Sequence, residues 1–192
     1  MRDHMTLSPL APARVHEVCG PSAVGFVLMQ GAGRQGPVIW GSVAHMREWV
    51  MPPAAARILS PERLMAFRAG SQAELLWATE EALRAGVAGL VVAVVEKSLS
   101  LTAGRRLQLA AEAGRTTGVL IIPEDGGSNA AETRWHCAPV WDTQDSTRQC
   151  WSLIKNKKGT IGDWTVCWDE KARAVRVVAA TGQRPVVAGQ PL

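Results

Sequence analysis

The stretch from residue 15 to residue 27 constrains the fold of this chain most. In it, an alternating apolar segment leads through two glycines into a second apolar segment. Gly20 and Gly25 have the G-x-x-x-x-G spacing of a phosphate-binding P-loop, although an ordinary strand-to-helix turn has such glycines too. A P-loop continues with a Lys, which contacts the phosphates, and a Ser or Thr, which holds Mg²⁺. Here those positions are Phe26 and Val27. The stretch predicts a strand, a glycine turn and a helix without the side chains that bind a nucleotide.

Length and composition predict one globular domain. The chain has 192 residues, of which 47% are hydrophobic and 20% charged, which is enough for a full-sized core. No apolar run reaches the roughly 18–20 residues of a membrane helix and no secretory signal is visible, so we expect a cytoplasmic protein. The four cysteines lack C-x-x-C spacing, which favours buried free thiols over a disulfide or a zinc site. The net charge of +4 permits contact with nucleic acid without requiring it.

Hydrophobic patterning predicts alternating strands and helices in the first two thirds of the chain. The clearest helix is 71–86, where Ser71 and Glu74 form a capping box and Gly86 ends the helix. A near-continuous apolar run such as 89–95 is typical of a strand that is buried on both faces of a parallel sheet. This alternation indicates an α/β fold with a mostly parallel sheet. The predicted strands are 15–19, 37–43, 64–67, 89–95 and 118–122, and the predicted helices are 22–30, 71–86 and 102–114.

After residue 123 the pattern changes to strands without helices between them. These strands are predicted over 133–140, 149–156, 163–168 and 174–180. Strands that follow each other in this way favour antiparallel additions at the edge of the sheet. Residues 1–14 are predicted to be a flexible N-terminal arm, residues 15–180 the folded domain and residues 181–192 a disordered tail.

Several stretches resemble the ImuA family, the RecA-like accessory proteins of the bacterial mutasome. Glu-Val-Cys-Gly-Pro-Ser at 17–22 looks like the opening of a RecA-like ATPase core whose loop has become degenerate. The most specific match is Leu-Thr-Ala-x-Arg-Arg-Leu-Gln-Leu-Ala-Ala-Glu at 101–112, and the stretches 75–86 and 133–135 also suit the family. The resemblance implies a RecA-like P-loop core with a mostly parallel sheet and a C-terminal antiparallel β-meander.

The resemblance also implies a function. It implies a non-catalytic adaptor in SOS-induced translesion synthesis and error-prone DNA repair, with an ImuB-like Y-family polymerase homologue and an error-prone replicative-type polymerase as partners. No cofactor, metal or membrane is expected, and the chain is not expected to be an enzyme because Phe26 and Val27 replace the catalytic P-loop residues. Two alternatives stay open. One is a cell-division inhibitor resembling SulA, and the other is a divergent P-loop NTPase.

Basic residues in the last third are candidate contacts for DNA phosphates. They are Lys155, Lys157 and Lys158, together with Arg134 nearby. The alternative is a turn whose lysines are only solvated. A DNA contact of this kind is expected to be weak.

Two tryptophans are candidate partner contacts. Trp141 and Trp168 lie among the predicted meander strands, and Trp is enriched at the energetic centres of interfaces. The alternative is that they fill the core of the sheet itself. Glu96 follows the predicted strand 89–95, where a RecA-type ATPase has its Mg²⁺-coordinating acid, but a solvated strand-end charge is the favoured interpretation.

Overall fold

The chain forms one mixed nine-stranded sheet with three helices among the residues that the structure describes. A computed structural model describes residues 9–46 and 55–185, with only the backbone for 181–185. The strands are β1 Val15–Cys19, β2 Val38–Val43, β3 Leu64–Ala69, β4 Leu90–Val94, β5 Gly118–Ile121, β6 Thr133–Pro139, β7 Gln149–Asn156, β8 Thr160–Asp169 and β9 Ala174–Pro185. The helices are α1 Ala23–Ala32, α2 Gln72–Ala85 and α3 Leu101–Gly114.

The strand order is β3-β2-β4-β5-β1-β6-β7-β8-β9. The strands from β3 to β6 in this order pair in parallel, and β6 to β9 pair antiparallel. The α/β class, the mostly parallel first part and the C-terminal meander are thus confirmed. In the described part of the chain, no helix is long and apolar enough to cross a membrane.

One strand departs from the prediction. The sequence pattern suggested that all strands after residue 123 are antiparallel additions, but β6 pairs in parallel with β1, with Glu17 opposite Arg134. The chain between β5 and β6 returns from the carboxyl end of the sheet to its amino end and so replaces the usual crossover helix. This connection packs on α3, where the side-chain amide of Gln108 donates to the carbonyl of Ala130 at 3.0 Å.

The structure confirms the serine half of the predicted capping box of α2, whereas the glutamate accepts from the residue before the N-cap. The Ser71 hydroxyl accepts from the Glu74 amide at 3.3 Å, and the Glu74 carboxylate accepts from the Gly70 amide at 2.8 Å. Gly86 ends the helix with a φ of 72°, a left-handed conformation that glycine adopts without steric cost.

Two apolar cores lie on the two faces of the sheet. The face covered by α1 contains most of the buried aromatic residues, and the face covered by α2 and α3 contains mainly aliphatic ones. The Phe26 ring meets the Trp151 ring edge-on, with the ring centroids 4.6 Å apart. The centroid of the Trp135 ring lies 5.8 Å from that of Phe26. Tryptophans therefore fill the first core where the meander strands widen the sheet.

The chain ends extend this domain on both sides. Within the predicted arm, Leu10 is buried in the first core, and residues 1–8 lie outside the described residues. Within the predicted tail, β9 continues to Pro185, while residues 186–192 lie outside the described residues.

A histidine in β1 is buried in its neutral form. His16 Nε2 donates to the Ala11 carbonyl at 3.0 Å, so Nδ1 accepts from the Thr133 hydroxyl at 2.7 Å. The pKa of His16 is lowered from 6.5 to about 4, mainly by burial; the hydrogen bond to the Ala11 carbonyl opposes this shift and the charge of Arg34 adds to it. Folding therefore excludes a proton that the unfolded chain would bind.

We predict that His16 makes stability fall with acid. The folded pKa lies below the unfolded one, so the stabilisation is complete above about pH 6.5 and is lost as the pH falls toward 4. A shift of this size corresponds to about 3 kcal/mol. Urea unfolding measures the free energies of unfolding of the wild type and His16→Gln. The difference between these two free energies should shrink as the pH is lowered from 7 to about 4.5. Parallel pH profiles for the two proteins would contradict this origin of the acid sensitivity.

Candidate functional site

The turn after β1 is closed by hydrogen bonds. Gly20 has a φ of 92°, and α1 begins only a few residues later. The Ser22 amide donates to the Cys137 carbonyl of β6 at 2.9 Å, and the Ala23 amide donates to the Gly20 carbonyl at 3.0 Å. These are amide groups that a phosphate-binding loop would turn toward its ligand. These two donors of the turn are therefore directed to the protein itself.

The second glycine of the spacing lies inside α1. A Cβ on Gly25 would overlap the Gln149 side-chain nitrogen at 2.4 Å, so the Gln149 side chain of β7 occupies the space above this glycine and would have to move for a larger residue. Phe26 and Val27 are both fully buried, so both are core residues. In the structure, Gly20 serves a tight turn and Gly25 a close contact between α1 and β7.

Acidic and imidazole groups pair along the carboxyl edge of the parallel strands. His45 after β2 contacts the Glu96 carboxylate after β4, and the Glu96 amide donates to the Gln72 side chain at 3.1 Å. His136 Nε2 lies 3.8 Å from the Glu124 carboxylate. Glu96 is thus a partly buried, paired charge rather than a fully solvated one. In residues 9–46 and 55–185, no three His, Cys, Asp or Glu side chains are grouped to hold a metal ion.

Three of the four candidate DNA-contact residues make internal contacts, and two of these, Arg134 and Lys155, are partly buried. Arg134 Nε lies 2.9 Å from the carboxylate of Glu17, which is fully buried. Lys155 Nζ donates to the carbonyls of Ser128 and Ala131 at 2.9 and 3.0 Å, and burial lowers its pKa. Both side chains hold the connection between β5 and β6 against the sheet.

The other two basic residues are exposed in the turn between β7 and β8. Lys157 Nζ donates to the Ala130 carbonyl at 2.7 Å, and the next residue, Lys158, is exposed. Only these two of the four residues therefore face a ligand in the solvent. The contact with DNA stays a prediction, and Lys157 and Lys158 are the residues that would make it.

The two candidate partner-contact tryptophans differ in exposure. Trp168 is 6% exposed and belongs to the first core, whereas Trp141 is 90% exposed. Trp141 lies in the loop between β6 and β7, where the Asp142 carboxylate accepts from the amides of Gln144 and Asp145 at 2.8 and 2.9 Å. The same carboxylate forms an ion pair at 2.6 Å with the guanidinium of Arg148, at the end of this loop. The loop is therefore held in place while it presents one aromatic side chain to the solvent.

The sequence pattern did not single out a groove along α3. Its volume is about 490 Å³, and it is called the α3 groove below. The signal was present in the sequence, because Leu101 and Leu109 lie eight residues apart and off the stripe of α3 that faces the core. The groove is lined by Leu101, Arg105, Gln108, Leu109, Asn129, Ala130 and Lys157.

We predict that Phe26 is required for stability. Its ring packs between Trp135 and Trp151, so Phe26→Ala leaves a cavity and should lower the free energy of unfolding by about 3–5 kcal/mol. Val24→Ala in the same helix is the matched control, because Val24 is 41% exposed and should change stability by less than about 0.5 kcal/mol. Urea denaturation measures both changes. Equal stability of the two variants would exclude a core role for Phe26.

Comparison with known proteins leaves the family open. No family model matches the chain, and no curated protein matches it. Among solved structures, SulA from Pseudomonas aeruginosa is similar, with 25% sequence identity over 57% of this chain and 97% of that chain and a TM-score of 0.46. A likeness at this TM-score does not decide the function. Membership of the ImuA family therefore stays a prediction from the sequence.

Proposed function

We propose that this chain is a non-catalytic, RecA-like adaptor of the ImuA type that acts in the cytoplasm during SOS-induced translesion synthesis. It would link an ImuB-like Y-family polymerase homologue to an error-prone replicative-type polymerase. The observation that carries the non-catalytic part is the closed turn at Gly20, in which the Ser22 amide bonds to the Cys137 carbonyl.

The buried side chains behind this turn support the same part of the proposal. A RecA-like ATPase places a Lys and a Ser or Thr there, both of which reach the nucleotide and its Mg²⁺. Phe26 and Val27 instead point into the aromatic core and are fully buried. An apolar pair in this position stabilises the fold and offers no charge to a phosphate. The chain would then act by binding proteins rather than by hydrolysing ATP.

Trp141 supports the adaptor part of the proposal. An exposed Trp on a loop that is already held by hydrogen bonds loses little conformational entropy when it binds, and it buries a large apolar area. Trp is also among the residues that contribute most to binding energy in interfaces. We infer that Trp141 is the anchor for the ImuB-like partner. Trp168, which is buried, serves the core of the domain.

We predict that Trp141→Ala weakens capture of an ImuB-like polymerase homologue by at least about 30-fold, which corresponds to roughly 2 kcal/mol. Trp77→Ala is the matched control, because Trp77 is 64% exposed on α2 and lies away from this loop. Titration of each purified variant against the immobilised homologue gives the dissociation constants. Both variants should melt at the wild-type temperature.

Other outcomes of this titration would contradict the proposal in distinct ways. If the wild-type chain fails to bind the homologue but binds the division tubulin, the alternative of a SulA-like division inhibitor replaces the adaptor. If the homologue binds and Trp141→Ala has no effect, the adaptor function stands and Trp141 is not its anchor.

A further inference from the structure

The α3 groove combines exposed apolar side chains with positive charge. Leu101, Arg105 and Leu109 follow each other at intervals of four residues, so they form one wall along the helix. Asn129 and Ala130, in the connection between β5 and β6, form the opposite wall. Leu101 is 45% and Leu109 66% exposed, which leaves an apolar strip that is uncovered in the described part of the chain.

The charges at this groove are placed by the fold. Lys157 Nζ donates one hydrogen bond to the Ala130 carbonyl, which fixes the ammonium at the rim and leaves two N–H donors for a ligand. Arg105 is exposed on the wall that α3 forms, across the groove from Lys157. It makes no ion pair within residues 9–46 and 55–185. Two cations therefore flank the apolar strip and remain available to carboxylates.

A second groove of about 570 Å³ continues the first one. The two share Gln108 and Lys157, and the second is also lined by Lys158. Arg14 lines it as well, but its guanidinium is paired with Glu112 at 3.0 Å. The remaining charges along the two grooves are three unpaired cations and the carboxylate of Glu132. The continuous surface is thus positive overall.

The charge and the apolar strip together favour an acidic protein segment over a nucleic acid. A phosphate backbone would not cover the two leucines. Arg134 and Lys155, which the sequence offered as further contacts for a phosphate backbone, are held by internal contacts. The terminal segments outside the described residues do not complement the charge either. Residues 1–8 contain one Asp and one Arg, and residues 186–192 contain no acidic residue.

We propose that the α3 groove binds a short acidic, amphipathic segment of a partner protein. Apolar side chains of the segment pack against Leu101 and Leu109, and carboxylates pair with Arg105 and Lys157. The inference deepens the adaptor function and rests on it for its biological meaning. Trp141 precedes β7 and Lys157 follows it, and this strand of eight residues is about 26 Å long. An adaptor with this arrangement has two separate surfaces for two partners.

The test uses a labelled peptide of defined chemistry. The probe is a fluorescein-tagged octapeptide, Asp-Leu-Glu-Asp-Leu-Leu-Glu-Asp, and its control has Lys at every acidic position. Fluorescence anisotropy with the full chain should show saturable binding of the acidic probe at least about 10-fold tighter than that of the basic one. Binding of the acidic probe should weaken as salt is raised.

Paired variants locate the binding. Arg105→Glu and Leu109→Glu should each weaken binding of the acidic probe about 10-fold or more. Arg115→Glu is the control for the first, because it changes the same charge just beyond the end of α3 and outside the groove. Val87→Glu is the control for the second, since Val87 and Leu109 are 67% and 66% exposed. The controls and Trp141→Ala should bind the probe as the wild type does.

Four outcomes overturn the proposal. Two concern the peptide: equal binding of the acidic and basic probes, or equal losses of affinity in the groove variants and their controls. A third is displacement of the labelled probe by single-stranded DNA at a lower concentration than the unlabelled acidic peptide needs. The fourth is self-association of the chain that Leu109→Glu abolishes. Failure of the probe with retained capture of the polymerase homologue contradicts the groove alone. Failure of capture with retained probe binding contradicts the proposed function alone.

Discussion

The buried ion pair between Glu17 and Arg134 is the interaction on which the arrangement of this sheet depends. The Glu17 carboxylate has no exposed surface and accepts from Arg134 at 2.9 Å and from the Ser128 amide at 2.7 Å. It therefore ties the middle of β1 both to β6 and to the connection that precedes β6. Loss of one partner from a buried pair leaves an uncompensated charge and typically costs about 3–5 kcal/mol. Lys155 of β7 extends the same row of charges.

The position of β6 beside β1 explains why the first turn is closed. β6 brings the Cys137 carbonyl to the Ser22 amide, and β7 brings Gln149 over Gly25. The same strands supply Trp135 and Trp151, which pack around Phe26. The meander thus fills the space behind the turn and engages the Ser22 amide. We therefore place the proposed partner contacts on the outer surfaces, at Trp141 and along α3.

Local signals in the sequence predicted much of the fold. The serine cap of α2 and the strand 149–156 follow from side chains within one element, and the structure confirms both. Long-range partners were not predictable in the same way. Nothing near Arg134 indicates that its charge belongs to Glu17, 117 residues away, and so it was interpreted as a candidate DNA contact. Gly25 was interpreted by its spacing, whereas its role comes from the approach of β7.

The most direct test of this account is a calorimetric titration of ATP with Mg²⁺ into the full chain. A turn whose Ser22 amide is bonded to Cys137, backed by the buried Phe26 and Val27, offers no side-chain charge to the phosphates. The account therefore predicts only the heat of dilution at protein concentrations of tens of micromolar. A saturable isotherm with one nucleotide per chain would contradict it, since the turn would then have to open to form the phosphate site.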